Sequence, residues 1–271
     1  MLNSSEVKRL ALEVGFDACG IARADRLADN EYPLREWLRR GWHADLGYME
    51  RNVDMRLDPR LLVPGARSVI CCVSAYQPPK NVESGEKIAA YALGRDYHKV
   101  VKDMLLRLRE KLGIDGKVCC DTVPIADKHW AARAGLGFIG RHTLLVTPQW
   151  GSWVNLGEIV TTEECSEYSE YSDYSDYSEH SNPCTHCNRC IDACPNHAIA
   201  PDGPPMLDVS RCTAYYTTHH ERPIPDGLIT AGYTRGCDLC QLACPFNHCP
   251  PHPHPSPREA EERKKRVPLT Q

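Results

Sequence analysis

The chain has 271 residues, 42% of them apolar and 25% charged, with a formal net charge of −4. That size and balance suit one large soluble domain plus a small one, and they exclude a membrane-spanning chain and a strongly basic nucleic-acid binder. The charge is unevenly spread: seven acids and no Lys or Arg fall in residues 163–180, and without them −4 becomes +3, a mildly basic body that permits an anionic partner.

From the N-terminus, MLNSSEVKRLALEVGFD reads as an amphipathic helix. Ser4 or Ser5 caps it, Val7, Leu10 and Leu12 lie on one side, and it ends near Gly15. Glu6, Lys8 and Arg9 interrupt the apolar positions, so this is no secretion signal, and a cytoplasmic location is the default. DACGIA, from Asp17, predicts a short strand, and residues 32–41 a helix. RSVICCVSAY (67–76) is a continuous apolar run with β-branched residues, the pattern of a buried strand. Residues 96–113 place Val100, Met104, Leu105, Leu108 and Leu112 at helical spacing, with Gly113 as the stop. KVCCDTVP (117–124) predicts a strand ending in a turn, 125–135 a helix, and 142–147 and 152–160 two more strands.

This alternation predicts a layered α/β or α+β domain over residues 1–163. Residues 164–181 contain the repeat SEYSEYSDYSDYSEHS, whose charges share one sign and which has no amphipathic period; it reads as a solvated acidic linker. A small cysteine-rich domain follows over 182–249, then a Pro/His-rich and charged tail over 250–271.

Fifteen cysteines in a cytoplasmic protein point to metal or redox chemistry before disulfides. Cys184, Cys187, Cys190 and Cys194 form C-x2-C-x2-C-x3-C-P, the bacterial ferredoxin spacing. Three thiolates at that spacing wrap one iron–sulfur cubane, and the fourth, before Pro195, reaches a second. Cys212 stands alone, and Cys237, Cys240 and Cys244 form C-x2-C-x3-C-P. The swapped logic of two-cluster ferredoxins gives one set of Cys184, Cys187, Cys190 and Cys244, and another of Cys194, Cys212, Cys237 and Cys240. A pair of structural zinc sites is the competing reading, but the third cysteine and the C-x3-C-P suit a cubane better. Cys71, Cys72, Cys119 and Cys120 lie in apolar strands and read as small core residues, while Cys249 belongs to the His-rich tail. Two such clusters move single electrons, so the first 163 residues should hold what receives them.

Asp121 ends an apolar strand just before a turn. A carboxyl there can face a pocket and, if desolvated, keep a proton as a general acid. On residue type alone, a cap for the helix starting near Ile125 is the stronger reading. GLGFIG (135–140) has the letters G-x-G-x-x-G, but it follows a helix instead of joining a strand to one, the wrong context for a dinucleotide fingerprint.

Taken in order, GFDACGIA, MRLDPRLLVPGARSVI, GRDYHKVV, DTVPIADKHWAARAGLGFIGRHT, GSWVNLGEI, CTHCNRCIDACPNHAI, RCTAYYT and GCDLCQLACPFN make the chain resemble the epoxyqueuosine reductases over roughly residues 5–248. These are cobalamin- and iron–sulfur-dependent enzymes of tRNA queuosine biosynthesis. The resemblance implies an α+β fold: a nitroreductase-like α/β domain binding cobalamin, then a small ferredoxin-like domain with two 4Fe-4S clusters that reduce it. It implies that epoxyqueuosine in a tRNA anticodon loses its epoxide oxygen as water. Asp121, at the start of the family's D-S/T-x-P, would donate a proton to that oxygen. Arg56 matches a cobalamin-contacting arginine, and Ala89, Asp121, Leu145, Leu156 and Ala214 fall where the family meets the corrin. Tyr97 and His98 would line the substrate side, although His98 could equally be structural. The partners implied are tRNA carrying epoxyqueuosine and an external flavodoxin- or ferredoxin-type electron donor, with no membrane and a monomeric chain. A reductive dehalogenase-like cobalamin enzyme is the alternative, without the twin-arginine export signal usual there. A ferredoxin-type electron-transfer protein is the other, and it leaves residues 120–160 unexplained.

Overall fold

The computed structural model describes residues 1–78, 86–169, 183–184, 186–218 and 222–247. In chain order the large domain comprises α1 (Ser4–Val14), β1 (Ala18–Arg23), α2 (Ala28–Arg39), α3 (Val53–Leu57), β2 (Ser68–Ala75), β3 (Lys87–Ile88), α4 (Tyr97–Leu112), β4 (Lys117–Cys119), α5 (Asp127–Arg133), β5 (Phe138–Ile139), β6 (Leu145–Val146) and β7 (Val154–Thr161). The cysteine-rich domain adds α6 (Arg189–Asp192), α7 (Thr213–Thr218), β8 (Tyr233–Arg235) and α8 (Leu239–Leu242).

The central sheet has the order β1-β2-β7-β4, with antiparallel neighbours throughout. Ile70 and Cys72 of β2 pack under α1 and α4, with Val7, Leu10, Leu105 and Leu108. Val69 and Cys71 face the other way, against Trp130 and Ala131 of α5. A strand covered on both faces cannot alternate apolar with polar, which is why β2 reads as one apolar run. Gly20 of β1 permits the close approach of α5: a Cβ there would lie 2.1 Å from the Ala134 carbonyl oxygen. The α+β architecture and the buried cysteines of β2 and β4 therefore stand as expected from sequence.

Local details differ. Asn3, with extended backbone, caps α1 by accepting Glu6 N–H at 3.0 Å, while Ser4 and Ser5 are already helical. Asn3 wins because it has the extended backbone a cap requires, which Ser4 and Ser5 have given up by entering the helix. The second helix starts at Ala28, not 32, and carries Pro33 inside it. The strand expected over 142–147 shrinks to Leu145–Val146, because Thr143 adopts φ 67° in a turn closed by its N–H to Gly140 O at 2.8 Å.

The linker expected from residue 164 begins as a strap. Leu2 N donates to Glu164 O at 2.7 Å and Ser166 N to Leu2 O at 2.8 Å. Ser169 N donates to Ile21 O at 2.7 Å, and Ile21 N to Ser169 Oγ at 3.0 Å, along the outer edge of β1. The Arg23 guanidinium covers the Tyr168 ring at 4.2 Å. The repeat from 170 to 182, Cys249 and the tail lie outside the described residues.

The two domains are docked at several points. β3 pairs in parallel with β8, Ala89 N donates to Arg235 O at 2.8 Å, and Ala90 N to Asp238 Oδ2 at 2.8 Å. Trp37 Nε1 donates to Leu207 O at 2.6 Å, and Arg141 donates to Asn188 Oδ1 at 2.6 Å and to Pro201 O. Asn247 Oδ1 accepts Ser152 N at 2.7 Å, and its Nδ2 donates to Ser152 Oγ at 2.8 Å. Gly151 is required beside it: φ is 55°, and a Cβ would meet Asn247 Oδ1 at 2.0 Å. This contact explains physically why GSWVN and CPFN occur in one chain.

Candidate active site

β4 ends at Cys119, and α5 begins at Asp127. The turn between them puts Asp121 in the left-handed region, φ 57°, which a non-glycine residue occupies only when its surroundings hold it there. The side chain does not cap α5. Its Oδ2 accepts the Tyr97 hydroxyl at 3.1 Å and faces His98 Nε2 at 2.9 Å. His98 Nδ1 meets Asp96 Oδ1 at 2.9 Å, and the same oxygen caps α4 by accepting His98 N–H at 3.1 Å. The Tyr97 and His98 rings stack at 4.0 Å between centroids. The first turn of α4 thus delivers both side chains to an aspartate more than twenty residues later.

The line Asp96–His98–Asp121 has a definite protonation logic. Both imidazole nitrogens face carboxylate oxygens, which accept, so an imidazolium that donates from both satisfies the set. Partial burial pulls the His98 pKa down, but the hydrogen bonds from Asp121 and Asp96 outweigh it and the net shift is upward. Burial, and then the Asp121 carboxylate, push the Tyr97 phenol well up, so it stays a donor. Desolvation was the sequence-based reason for Asp121 to hold a proton. The structure shows no such desolvation: its side chain is 62% exposed, with His98 Nε2 beside it.

Arg56 donates from Nη2 to Tyr48 O at 3.2 Å and faces Asp121 and Asp127; burial pulls its pKa down. Its Nε is buried without a partner among the described residues. Leu145 is buried and Leu156 half-buried in the apolar cluster around Trp130. Ala89 is fully buried in the domain seam, where a Cβ on Gly236 would lie 2.5 Å from its methyl. Ala214 is half-buried on α7, which Tyr91 bridges to the site: its hydroxyl lies 3.4 Å from Thr218 Oγ1 and its ring meets Tyr97 edge-on. A corrin is a flat apolar ring with an amide rim. The half-buried Leu156 and the unpartnered Arg56 donor fit such a group, with Leu145 packed in the core behind them.

Burial and neighbouring thiols act on the cysteines of both runs. Burial pushes the Cys190 thiol up to about 11, helped by Cys184, Cys244 and Cys187. Burial also raises Cys237, to about 12, with Cys212 and Cys194 among its neighbours. Cys240 rises for the same reason beside Cys237, Cys212, Cys190 and Cys194, so it also marks where the sets adjoin. Buried thiols without a cation stay protonated, and a metal cluster releases those protons as it binds. Ala198 N already donates to Cys194 Sγ at 3.3 Å. Among the described residues, no three His, Cys, Asp or Glu side chains converge as a single ion requires.

Sequence reading missed a pair of buried acids, Asp127 and Glu158. Burial raises both, most strongly Glu158. The signal was available: VNLGEIV puts a carboxylate inside an apolar strand.

The family model described as "Epoxyqueuosine reductase QueG, DUF1730" matches residues 56–122, and the "4Fe-4S double cluster binding domain" matches 183–247. An epoxyqueuosine reductase of Cyclobacterium marinum is 39% identical over 251 residues, covering 89% of this chain and 78% of that protein. A crystal structure of epoxyqueuosine reductase with an epoxyqueuosine-modified tRNA-Tyr stem loop superposes with a TM-score of 0.81 at 28% identity, covering 93% of this chain and 67% of the other. The enzyme from Bacillus subtilis, captured with its catalytic aspartate loop swung out of the active site, gives 0.76 at 28% identity, covering 92% and 67%. No helix among the described residues is long and apolar enough to cross a membrane.

Proposed function

The chain belongs to the epoxyqueuosine reductase family, and from that membership we propose how its residues reduce epoxyqueuosine to queuosine in a tRNA anticodon. The dehalogenase-like and electron-carrier readings fall away at this identity and coverage. Cobalamin, when bound, supplies a low-valent cobalt that delivers electrons to the epoxide, and two 4Fe-4S clusters feed it single electrons. Arg56, Leu145, Leu156 and the seam at Ala89 and Ala214 are the residues that would hold it. Cys184, Cys187, Cys190 and Cys244 would hold one cluster, and Cys194, Cys212, Cys237 and Cys240 the other.

The observation that carries the mechanism is the unbroken Asp96–His98–Asp121 line. An epoxide oxygen leaves poorly as an alkoxide and well when protonated. His98 holds a proton at Nε2 against Asp121 Oδ2. That proton moves to Asp121, exposed at the tip of its turn, which delivers it to the departing oxygen, and the second proton comes from solvent. Asp96 holds the ring in register throughout. The Tyr97 hydroxyl fixes the carboxylate and remains a donor. Two electrons and two protons convert the epoxide oxygen to water and leave the alkene of queuosine. The electrons come from an external flavodoxin- or ferredoxin-type donor, and the chain works as a cytoplasmic monomer on tRNA.

The test is Asp121→Asn, reconstituted with iron, sulfide and cobalamin, assayed by mass spectrometry of anticodon nucleosides. We expect unchanged cluster and corrin spectra with turnover lower by about 10²–10⁴-fold. Near-normal turnover removes Asp121 from the acid role.

A further inference from the structure

The mechanism leaves the buried acids Asp127 and Glu158 unused. Glu158 lies on β7, an inner strand, opposite Cys71 of β2 and Cys119 of β4. It therefore shares their face, the one that packs on α5. It is fully buried, and neither of its oxygens has a fixed donor among the described residues. Asp127 opens α5, and its Oδ1 is likewise buried without one. Yet the two carboxyl groups lie within hydrogen-bonding reach of each other. Two ionised carboxylates cannot make such a bond, since both only accept. One proton between them turns one into the donor, and like charges that close do not both ionise.

The Asp127 carboxyl also faces the backbone N–H of Asp121. That N–H belongs to the residue held at φ 57°. We propose that Asp127 and Glu158 share a single proton and act together as a latch, positioning residues that keep the Asp121 turn seated over the site. The charged and titratable groups facing the pair are Arg56, Asp121, Lys128, Cys71, Cys72, Cys119 and Cys120. The two cations offset the one negative charge the pair retains. Losing the shared proton leaves two adjacent buried anions; Asp127 then withdraws from Glu158 and carries the turn with it. A turn held this way has a built-in route to the swung-out loop captured in the Bacillus subtilis enzyme. The latch takes its importance from the reading of Asp121 as proton donor, but its test does not depend on that reading.

The experiment is hydrogen exchange by mass spectrometry on the cluster-loaded protein without tRNA, over a pH series, with intrinsic exchange rates divided out. Wild type should protect the 120–124 segment, and this protection should fall above the pH at which the shared proton leaves. Asp127→Ala should lose it roughly ten- to a hundredfold at every pH. Glu158→Gln, whose amide supplies a permanent donor, should keep protection and lose the pH step. The infrared band of a protonated carboxylic acid at neutral pH should be present in wild type and missing in Glu158→Gln. Equal protection in Asp127→Ala and wild type, a pH step retained in Glu158→Gln, or no such band in wild type overturns the proposal. Should Asp127→Ala not fold, Asp127→Asn is read in its place, and a retained pH step there overturns the latch. None of these outcomes alters the result of Asp121→Asn, so the two readings fail separately.

Discussion

The two reactive regions of this molecule are built on opposite principles. The residues proposed to handle protons, Asp96, His98 and Asp121, are largely exposed and held by side-chain hydrogen bonds between a helix start and a turn. The cluster cysteines are buried or half-buried, and burial raises the thiols of Cys190, Cys237 and Cys240, which keep their protons until metal displaces them. A proton donor must meet a substrate that arrives from solvent, and its acidity is set by partners that can be exchanged. A cluster must be shielded from water, and its ligands are set by backbone spacing that cannot.

The largest effect should come from breaking the buried side. Cys190→Ser and Cys244→Ser should remove the same cluster, and Cys194→Ser the other, each lowering iron from about eight to about four per chain and abolishing turnover. Paramagnetic resonance of the reduced protein distinguishes them. If Cys190→Ser and Cys194→Ser lose the same signal, the interleaved sets are wrong. Next comes the exposed side. His98→Gln should lower turnover roughly ten- to a hundredfold with iron content unchanged; full activity would make His98 a structural residue. A smaller effect sharpens the contrast further. His98 has a pKa raised by its carboxylate partners, so the working imidazolium is present below that pKa and lost as pH rises through it. Turnover should therefore have a basic limb above the ordinary histidine range. Asp96→Asn keeps the helix cap but removes one raising partner, so that limb should move to lower pH. An unmoved limb in a pH–rate profile assigns it to another group. Smallest is Asn247→Ala, which should cost about 1–3 kcal/mol in denaturant unfolding by stranding Ser152 N–H, with the pH profile untouched. A changed profile would show that the domain seam and the proton line are coupled.

The contrast also explains what the sequence could disclose. Cysteine ligands must sit at short intervals along the chain, so Cys184 to Cys194 are legible as letters. Likewise β2 is legible because both of its faces are covered. The partners of Asp121 come from Tyr97 and His98, which no local spacing ties to it, and only the resemblance put them near the substrate. The burial expected for Asp121 is absent, because exposure is set by tertiary packing. Glu158 was passed over as one polar letter in a strand, though a carboxylate on an inner strand needs a partner. Asn3 displaced Ser4 and Ser5 as the cap because cap strength depends on backbone shape as well as residue type.

The strap of residues 164–169 has a consequence for solution behaviour. β1 is the border of the sheet, and its outward-facing N–H and C=O at Ile21 are a template onto which another chain could add a strand. Ser169 takes both groups. The acidic repeat thus begins where the chain has just hemmed its own sheet, and its charge follows at once as a like-charge repellent. Ser169→Pro, which removes the N–H that Ile21 O accepts, should self-associate with rising concentration in light scattering, and wild type should not.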